Sequence, residues 1–352
     1  MKILYGVQGT GNGHITRARV MAKELKLAGI EVQYLFSGRS KDKYFDMDIF
    51  GNYFVYDGLT MNMTNGKVHP WKTLISNNLF NFHKDILGLD LRKYDLIISD
   101  YEPIVSWAGK FSNKIVIGIG HQYAFNYNIP KTDNNYFTDK IMKYFAPVDI
   151  GIGLHWNSFG ERILPPIIDT VFNIIPGDPK KILVYLAFDN PNIVFWSLAL
   201  NKDYEFYVYG LDEVKLCRDG LEHINNVHIK QPSREGFLKD LEICGGVICG
   251  AGFELISESL NMGKRILVKP VQGQLEQMSN AKALVELGYG TSMEEISHES
   301  ISGWLNNSKC TIHMDIPNVA KEIVQWIKLH GWINGVEIDT QTIWNQVKIS
   351  TY

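Results

Sequence analysis

Ile3-Leu4-Tyr5-Gly6-Val7-Gln8-Gly9-Thr10-Gly11-Asn12-Gly13-His14 opens the chain with an apolar run and a glycine-rich turn, and the helical pattern Ile15 to Ala28 follows. Strand, tight turn and helix start, in that order, form the first unit of an open parallel sheet. Three glycines in five residues let the backbone approach a bound molecule closely. The first turn of the helix offers unpaired N–H groups to an anion. A dinucleotide fingerprint would need glycine at the sixth position and an acid after the second strand. His14 holds the sixth position, and Glu31–Phe36 is followed by Ser37-Gly38-Arg39, so the pattern speaks against a nicotinamide cofactor.

Outward from this turn, strand-like and helical runs alternate: Glu31–Phe36, Tyr53–Tyr56, a helix around Trp71–Leu87, Leu96–Ser99 and Ile115–Ile119. Pro165-Pro166 and Pro176-Gly177-Asp178-Pro179 break the periodicity and mark a linker. The alternation then restarts with strands at Lys181–Ala187, Glu205–Tyr209, Val227–Lys230, Gly246–Cys249 and Arg265–Val268, and helices over Ile193–Leu200, Ser233–Leu241, Gly252–Leu260 and Leu275–Leu287. An α/β chain of two doubly wound parallel-sheet domains is expected. The first spans residues 1–160 and the second 181–330, joined by a linker at 161–180. The tail, 331–352, is expected to pack back on the first domain.

A length of 352 residues suits two such domains, since single cores stop growing well before that size. The formal charge of −3 leaves no footprint for a polyanion, so no nucleic-acid partner is expected. No apolar stretch reaches membrane-span length and no signal peptide opens the chain, which points to the cytoplasm. Cys217, Cys244, Cys249 and Cys310 lack metal-ligand spacing and read as structural thiols, and no histidine pair sits at metal spacing. Asp46-Met47-Asp48 has the pairing by which a metal–nucleotide can be held, but no strand precedes it and a solvated loop accounts for it better. No metal is expected. Around Tyr53–Leu91, the residues Trp71, Leu74, Ile75, Phe80, Phe82 and Ile86 could face a lipid or form an ordinary core helix with its loop, and core is the better account.

Two facing parallel sheets make a cleft, because ligands bind outside the carboxyl ends of the strands. In the second half, Gly250-Ala251-Gly252 follows the strand Gly246–Cys249 and opens a helix at Phe253. Small residues there give a diphosphate access to the amides and the positive end of the helix dipole. Glu258, about a turn and a half further on, could accept both hydroxyl protons of a ribose, or could with Glu254 form a solvated face. Glu276, Gln277 and Asn280 then begin a helix after the Pro270–Gly273 loop, with Glu276 and Asn280 on one face. A carboxylate and amides suit neutral polyols, which need paired donors and acceptors.

Gly250-Ala251-Gly252, Ser257-Glu258-Ser259-Leu260, Gly263, Pro270, Glu276-Gln277, Asn280-Ala281 and Gly288 together resemble the donor half of the GT-B glycosyltransferases that use nucleoside diphosphate sugars. Gly9–His14 with Arg17 resembles the N-terminal loop of the same enzymes, in particular the peptidoglycan N-acetylglucosaminyltransferase and the processive lipid glucosyltransferases. The combination with Ser99-Asp100-Tyr101-Glu102-Pro103 is most like a group of uncharacterised bacterial and archaeal glycosyltransferases. The resemblance reaches to about Leu329. It implies a GT-B fold of two Rossmann-like domains, with acceptor binding in the first and the nucleotide sugar, UDP-sugar above all, in the second. It also implies that Glu258 binds the ribose, the Gly252 and Phe253 amides the diphosphate, and Glu276 and Gln277 the sugar hydroxyls. Gly11, Asn12, Gly13 and Arg17 fall on the acceptor side. His121-Gln122 resembles an acceptor-side motif, without the acid that follows the histidine in the peptidoglycan enzyme.

Transfer of a sugar from a diphosphate needs an activated hydroxyl and a stabilised leaving group. His14 is the natural base, since imidazole titrates in the useful range. An acid on its other ring nitrogen would fix the tautomer, and Asp100 or Glu102 could supply it. Without a metal, helix N-termini and cationic side chains would carry the leaving group. Direct attack inverts the anomeric centre. The acceptor is expected to be a small molecule, a lipid or a cell-envelope glycan, and a lipid would imply peripheral contact at the inner face of the membrane. The competing expectations are a nucleotide-sugar epimerase of the same architecture and a non-catalytic nucleotide-sugar-binding protein.

Overall fold

The computed structural model describes all residues except 61, 70–72, 74–76, 133–135, 170–176, 212–223 and 308–310. The first parallel sheet contains β1 (Lys2–Gln8), β2 (Glu31–Ser37), β3 (Tyr53–Tyr56), β4 (Leu96–Asp100), β5 (Val116–Gly120) and β6 (Ile150–Gly153) in the spatial order 3-2-1-4-5-6. The second repeats that order with β7 (Asp178–Tyr185), β8 (Glu205–Tyr209), β9 (Val227–Ile229), β10 (Cys244–Cys249), β11 (Arg265–Val268) and β12 (Thr291–Ser292). In each the winding reverses beside the first strand, and that reversal is where such sheets open a crevice for ligand.

β1 and β4 are buried almost throughout because helices cover both faces, which is why they read as apolar runs without alternation. On one face, the helix Asn12–Leu27 buries Ile15, Ala18, Met21, Ala22 and Leu25, one side of a 3.6-residue period. On the other, Leu4, Leu35 and Ile97 pack with Ile104, Val105 and Ala108 of the helix Pro103–Phe111. A single apolar cluster continues from the first domain into the second through Trp156, Phe253 and Ile256. Trp156 is fully buried, and its indole N–H donates to Ser257 Oγ at 2.9 Å.

Further contacts close the two domains on each other. The hairpin Met63–Thr64 with Lys67–Val68 leaves the first domain and joins the second: Gly66 N–H donates to the Phe188 carbonyl and Gln272 N–H to the Gly66 carbonyl, both at 2.7 Å. The helix Val319–Lys328 packs against Asn12–Leu27, with Asn318 Nδ2 donating to Glu24 Oε1 at 2.8 Å. In the tail, Trp344 Nε1 donates to the Ile163 carbonyl at 2.7 Å, Glu337 pairs with Arg162, and Lys348–Thr351 pairs antiparallel with Ile312–Asp315.

The helix expected over Trp71–Leu87 is shorter. It runs Leu79–Gly88 from an Asn78 cap, and Trp71, Leu74 and Ile75 lie outside the described residues. Ile86 is buried and Phe82 packs beside it, but Leu79, Phe80 and Leu87 are exposed, so a core reading holds for one face only. Part of the expected linker, 170–176, also lies outside the described residues, as do Cys217 and Cys310. Cys244 and Cys249 are buried free thiols on β10, and burial pushes each up to about 12. No helix among the described residues is long and apolar enough to cross a membrane.

Candidate active site between the glycine turns

Helix N-termini leave backbone N–H groups without partners, and a side chain at the N-cap normally accepts from one of them. Asn78, Glu102, Asn190, Ser233, Gln274, Ser297 and Asn318 do so here. The helices that begin after Gly11 and Gly252 have no such side-chain bond. Those two starts face each other across the cleft. A cavity of about 100 Å³ lies between them, lined by Gly13, Tyr185, Gly250, Gly252, Glu254 and Gln277. None of Gly9, Gly11 and Gly13 has positive φ, so the turn uses glycine for close approach rather than for left-handed backbone. At Gly13 a Cβ would stand 2.5 Å from Glu254 Oε2 of the other domain.

His14 begins the first helix with its side chain 16 % exposed, and its Nδ1 is 2.6 Å from Asp100 Oδ1. Asp100 ends β4, the strand beside β1, so sheet pairing itself brings the two residues together. Tyr101 follows with φ of 52°, an uncommon conformation for a bulky residue. It is held by ring contacts with Phe145 and Tyr123 and by its hydroxyl, which donates to the Met142 carbonyl at 2.9 Å. Asp100 is fully buried; burial opposes its ionisation, but the Arg17 guanidinium and the hydrogen bond with His14 outweigh that and hold the carboxyl below its usual range. Arg17, one helical turn after His14 and 1 % exposed, donates through Nε to Asp100 Oδ2 at 2.8 Å and pairs through Nη1 with Glu254. A hydrogen-bonded chain of His14, Asp100, Arg17 and Glu254 thus runs from one domain into the other. With Nδ1 engaged, Nε2 is the nitrogen of His14 left for chemistry.

Glu102 does not join this chain. It caps the helix Pro103–Phe111, accepting from Ile104 N–H at 3.0 Å, Val105 N–H at 2.7 Å and Ser37 Oγ at 2.6 Å. Full burial pushes its carboxyl up to about 7 despite those bonds. Of the two acids considered for orienting His14, the fold brings Asp100 to it and uses Glu102 as a cap.

Glu258 is 2 % exposed and accepts from Arg234 Nη2 at 2.7 Å, so it is paired rather than solvated. Gln277 lines the cavity, its Oε1 accepting from Val271 N–H at 3.0 Å. Glu276 Oε2 accepts from Gln122 Nε2 at 3.0 Å across the cleft. Asn280 and His121 are fully buried: Asn280 Oδ1 is 2.5 Å from His121 Nε2, Asn280 Nδ2 donates to the Ala251 carbonyl, and His121 Nδ1 lies 2.8 Å from the Leu154 carbonyl. His121 also stacks on Phe253, the rings 4.1 Å apart and 4° from parallel. The structure therefore sets His121, Phe253 and Asn280 in the seam between the domains rather than in open cleft. Asn12, a cleft residue, donates to the Tyr185 hydroxyl at 3.4 Å.

Sequence reading missed Tyr185, Asp189, Lys269 and the role of Glu254. Lys269 and Asp189 form a pair at 2.5 Å, both largely buried, where a second cavity of about 430 Å³ meets the first. Burial raises the Asp189 carboxyl, and Lys269 only partly offsets it. Their signal was positional: each follows the carboxyl end of a strand, β7 or β11, at the sheet edge where ligands bind.

Solved structures share this arrangement of the whole chain. The glycotransferase of kitacinnamycin superposes with a TM-score of 0.59 at 12 % identity, covering 95 % of this chain and 94 % of its own. MurG of Acinetobacter baumannii gives 0.52 at 16 % identity, covering 87 % and 90 %. The glycosyltransferase VinC in complex with dTDP gives 0.55 at 12 % identity, covering 96 % and 99 %. At these identities the likeness shows the fold, which is GT-B with two Rossmann-like domains. Among curated proteins none matches the sequence. Residues 1–308 match glycosyl transferase family 1, and with most of its length inside that match the chain belongs to the family and is a glycosyltransferase.

Proposed function

We propose that the protein transfers a hexose-type sugar from a nucleoside diphosphate sugar, UDP-sugar above all, to an acceptor hydroxyl with inversion and without a metal. The observation that carries this reading is the His14–Asp100 pair, set 2.6 Å apart at one glycine turn and facing the uncapped helix start at the other. Asp100 fixes the tautomer, Nε2 of His14 takes the acceptor proton, and the hydroxyl oxygen attacks the anomeric carbon as its bond to the diphosphate breaks. The electron pair leaves on the diphosphate, whose charge meets the Phe253 amide and the helix dipole, and reaches the Gly252 amide only if its bond to the Gly250 carbonyl, 2.7 Å in this structure, is given up. Glu258 takes the ribose, and Gln277 and Glu276 the sugar. Acceptor entry is best served by a cavity of about 930 Å³ that reaches Tyr101, Gln122 and Tyr123. The exposed Leu79, Phe80 and Leu87 favour a lipid-linked or envelope acceptor and peripheral membrane contact.

A space of about 100 Å³ between the turns is by itself too small for a nucleotide sugar, so the donor enters by parting the domains and drawing on the adjoining cavity of about 430 Å³. Incubation with a panel of nucleoside diphosphate sugars, with and without acceptors, tests the reading. Glycosylated product of inverted anomeric configuration supports it. Altered sugar on the nucleotide in the absence of acceptor would instead identify an epimerase, and binding without turnover a sensor.

A further inference from the structure

Three guanidiniums gather beside the cleft with little to neutralise them. Arg19, on the first helix, donates to the carbonyls of Phe45 at 2.9 Å and Asp46 at 3.1 Å. Arg234, in the other domain, binds Glu258, and its backbone N–H donates to Asp46 Oδ2 at 2.8 Å. Arg39, in the turn after β2, donates through Nη1 to Asn12 Oδ1 at 3.0 Å and lies 4.5 Å over the Tyr44 ring. Its Nε is buried without a partner, and among the described residues no carboxylate pairs with it. Burial lowers the pKa of Arg39; burial and then the Arg234 charge lower Arg19 to about 10, with Arg39 adding to the repulsion. Asp46 and Glu258 are the acids that answer Arg19 and Arg234, and neither answers Arg39.

A guanidinium held partly dry, oriented by an amide and a ring but given no counter-ion, is poised for an anionic ligand. The direction in which it would find one is set by Asn12, which holds Arg39 with its carbonyl oxygen and reaches the Tyr185 hydroxyl with its amide. Tyr185 in turn lines the cavity at Gly250 and Gly252. We propose that Arg39 is the counter-ion that the first domain contributes to the diphosphate of the donor, opposite the uncapped helix start at Phe253. This rests on the donor reading above. It means that one diphosphate bridges a cation of one domain and the helix start of the other, so that donor binding draws the cleft closed. The planar fork of Arg39 can take two phosphate oxygens at once.

Calorimetry on the full-length protein with UDP, TDP, GDP and ADP, and with the nucleoside of whichever binds best, tests the assignment. Arg39→Gln should weaken the nucleoside diphosphate about 10- to 100-fold while nucleoside affinity stays the same. Arg39→Lys, which keeps the charge but loses the fork, should recover part of the loss. Unchanged diphosphate affinity in a natively melting Arg39→Gln protein overturns the proposal. So does an equal loss for diphosphate and nucleoside, which would mean a damaged cleft. If the unaltered protein binds no nucleoside diphosphate, the donor reading itself fails and takes this assignment with it.

Discussion

The two sheet edges that face each other share strand order, a glycine turn and an uncapped helix start, yet they carry different chemistry. The first edge sets ionisable side chains in series, His14, Asp100 and Arg17, with the aspartate fully buried. The second offers the Phe253 amide, the Gly252 N–H being engaged by the Gly250 carbonyl at 2.7 Å, together with two carboxylates and an amide that already have partners, Glu258 on Arg234, Glu276 on Gln122 and Gln277 on the Val271 N–H. A doubly wound sheet thus provides the same thing twice, a place where N–H groups point outward. On the proposed reading, what stands one helical turn further on decides whether that place does proton chemistry or holds a ligand.

If the division is right, the edges fail differently when altered. His14→Ala should lower turnover by about 10²–10⁴-fold and leave donor affinity intact. Near-normal turnover would break the comparison at its first term. Glu258→Ala should weaken nucleoside diphosphate binding by about 1–3 kcal/mol, read by calorimetry, since charge-assisted bonds to ribose are lost. An unchanged affinity would leave Glu258 as no more than the partner of Arg234. Glu276→Ala or Gln277→Ala should reduce use of the sugar nucleotide by about tenfold, one lost hydrogen bond to a sugar, while sparing the bare diphosphate. Equal losses for both ligands would point to distortion of the helix Leu275–Glu286.

The smallest effect concerns Glu102, which caps the helix Pro103–Phe111 while Asp100 bonds to His14. Its carboxyl is pushed up to about 7 in the folded protein, so between the unfolded value near 4.5 and about 7 the native state binds the extra proton. Stability contributed by that proton is present at low pH and is lost as pH rises through about 7. Glu102→Gln should flatten the melting temperature between pH 5 and 8, at the expense of one cap bond. A wild-type profile that shows no decline over that interval would contradict the assignment.

Pairing of His14 with Asp100 follows from register, because Val7 lies opposite Asp100 and the turn begins two residues later. Periodicity showed both strands, but that β4 lies directly beside β1 is a property of sheet order. The strand Ile150–Gly153 escaped reading because alternating glycines weaken strand propensity. The fold needs the second of them: a Cβ at Gly153 would stand 2.8 Å from the Ala124 backbone, whereas one at Gly151 would meet Tyr123 at an ordinary 3.5 Å. Sequence pattern placed the helix start at Gly252 and the doubling of the domain, since glycine turns and apolar runs are local signals, but it began the first helix at Ile15, whereas the structure begins it at Asn12.

Local signals also marked which residue types stand near those turns, and so named His14, Asp100, Glu258, Glu276 and Gln277 as candidates. Partnership was beyond them. That Asn280 is spent on His121, that Glu254 completes the charge on Arg17, and that Arg39 is held by Asn12 without a carboxylate are all facts about atoms at least 27 residues apart in the chain. Hydrogen bonds and ion pairs act over a few ångströms. Only the docking of one sheet edge against the other brings those groups within that range, so only the tertiary structure decides which of the candidates remain free to meet a ligand.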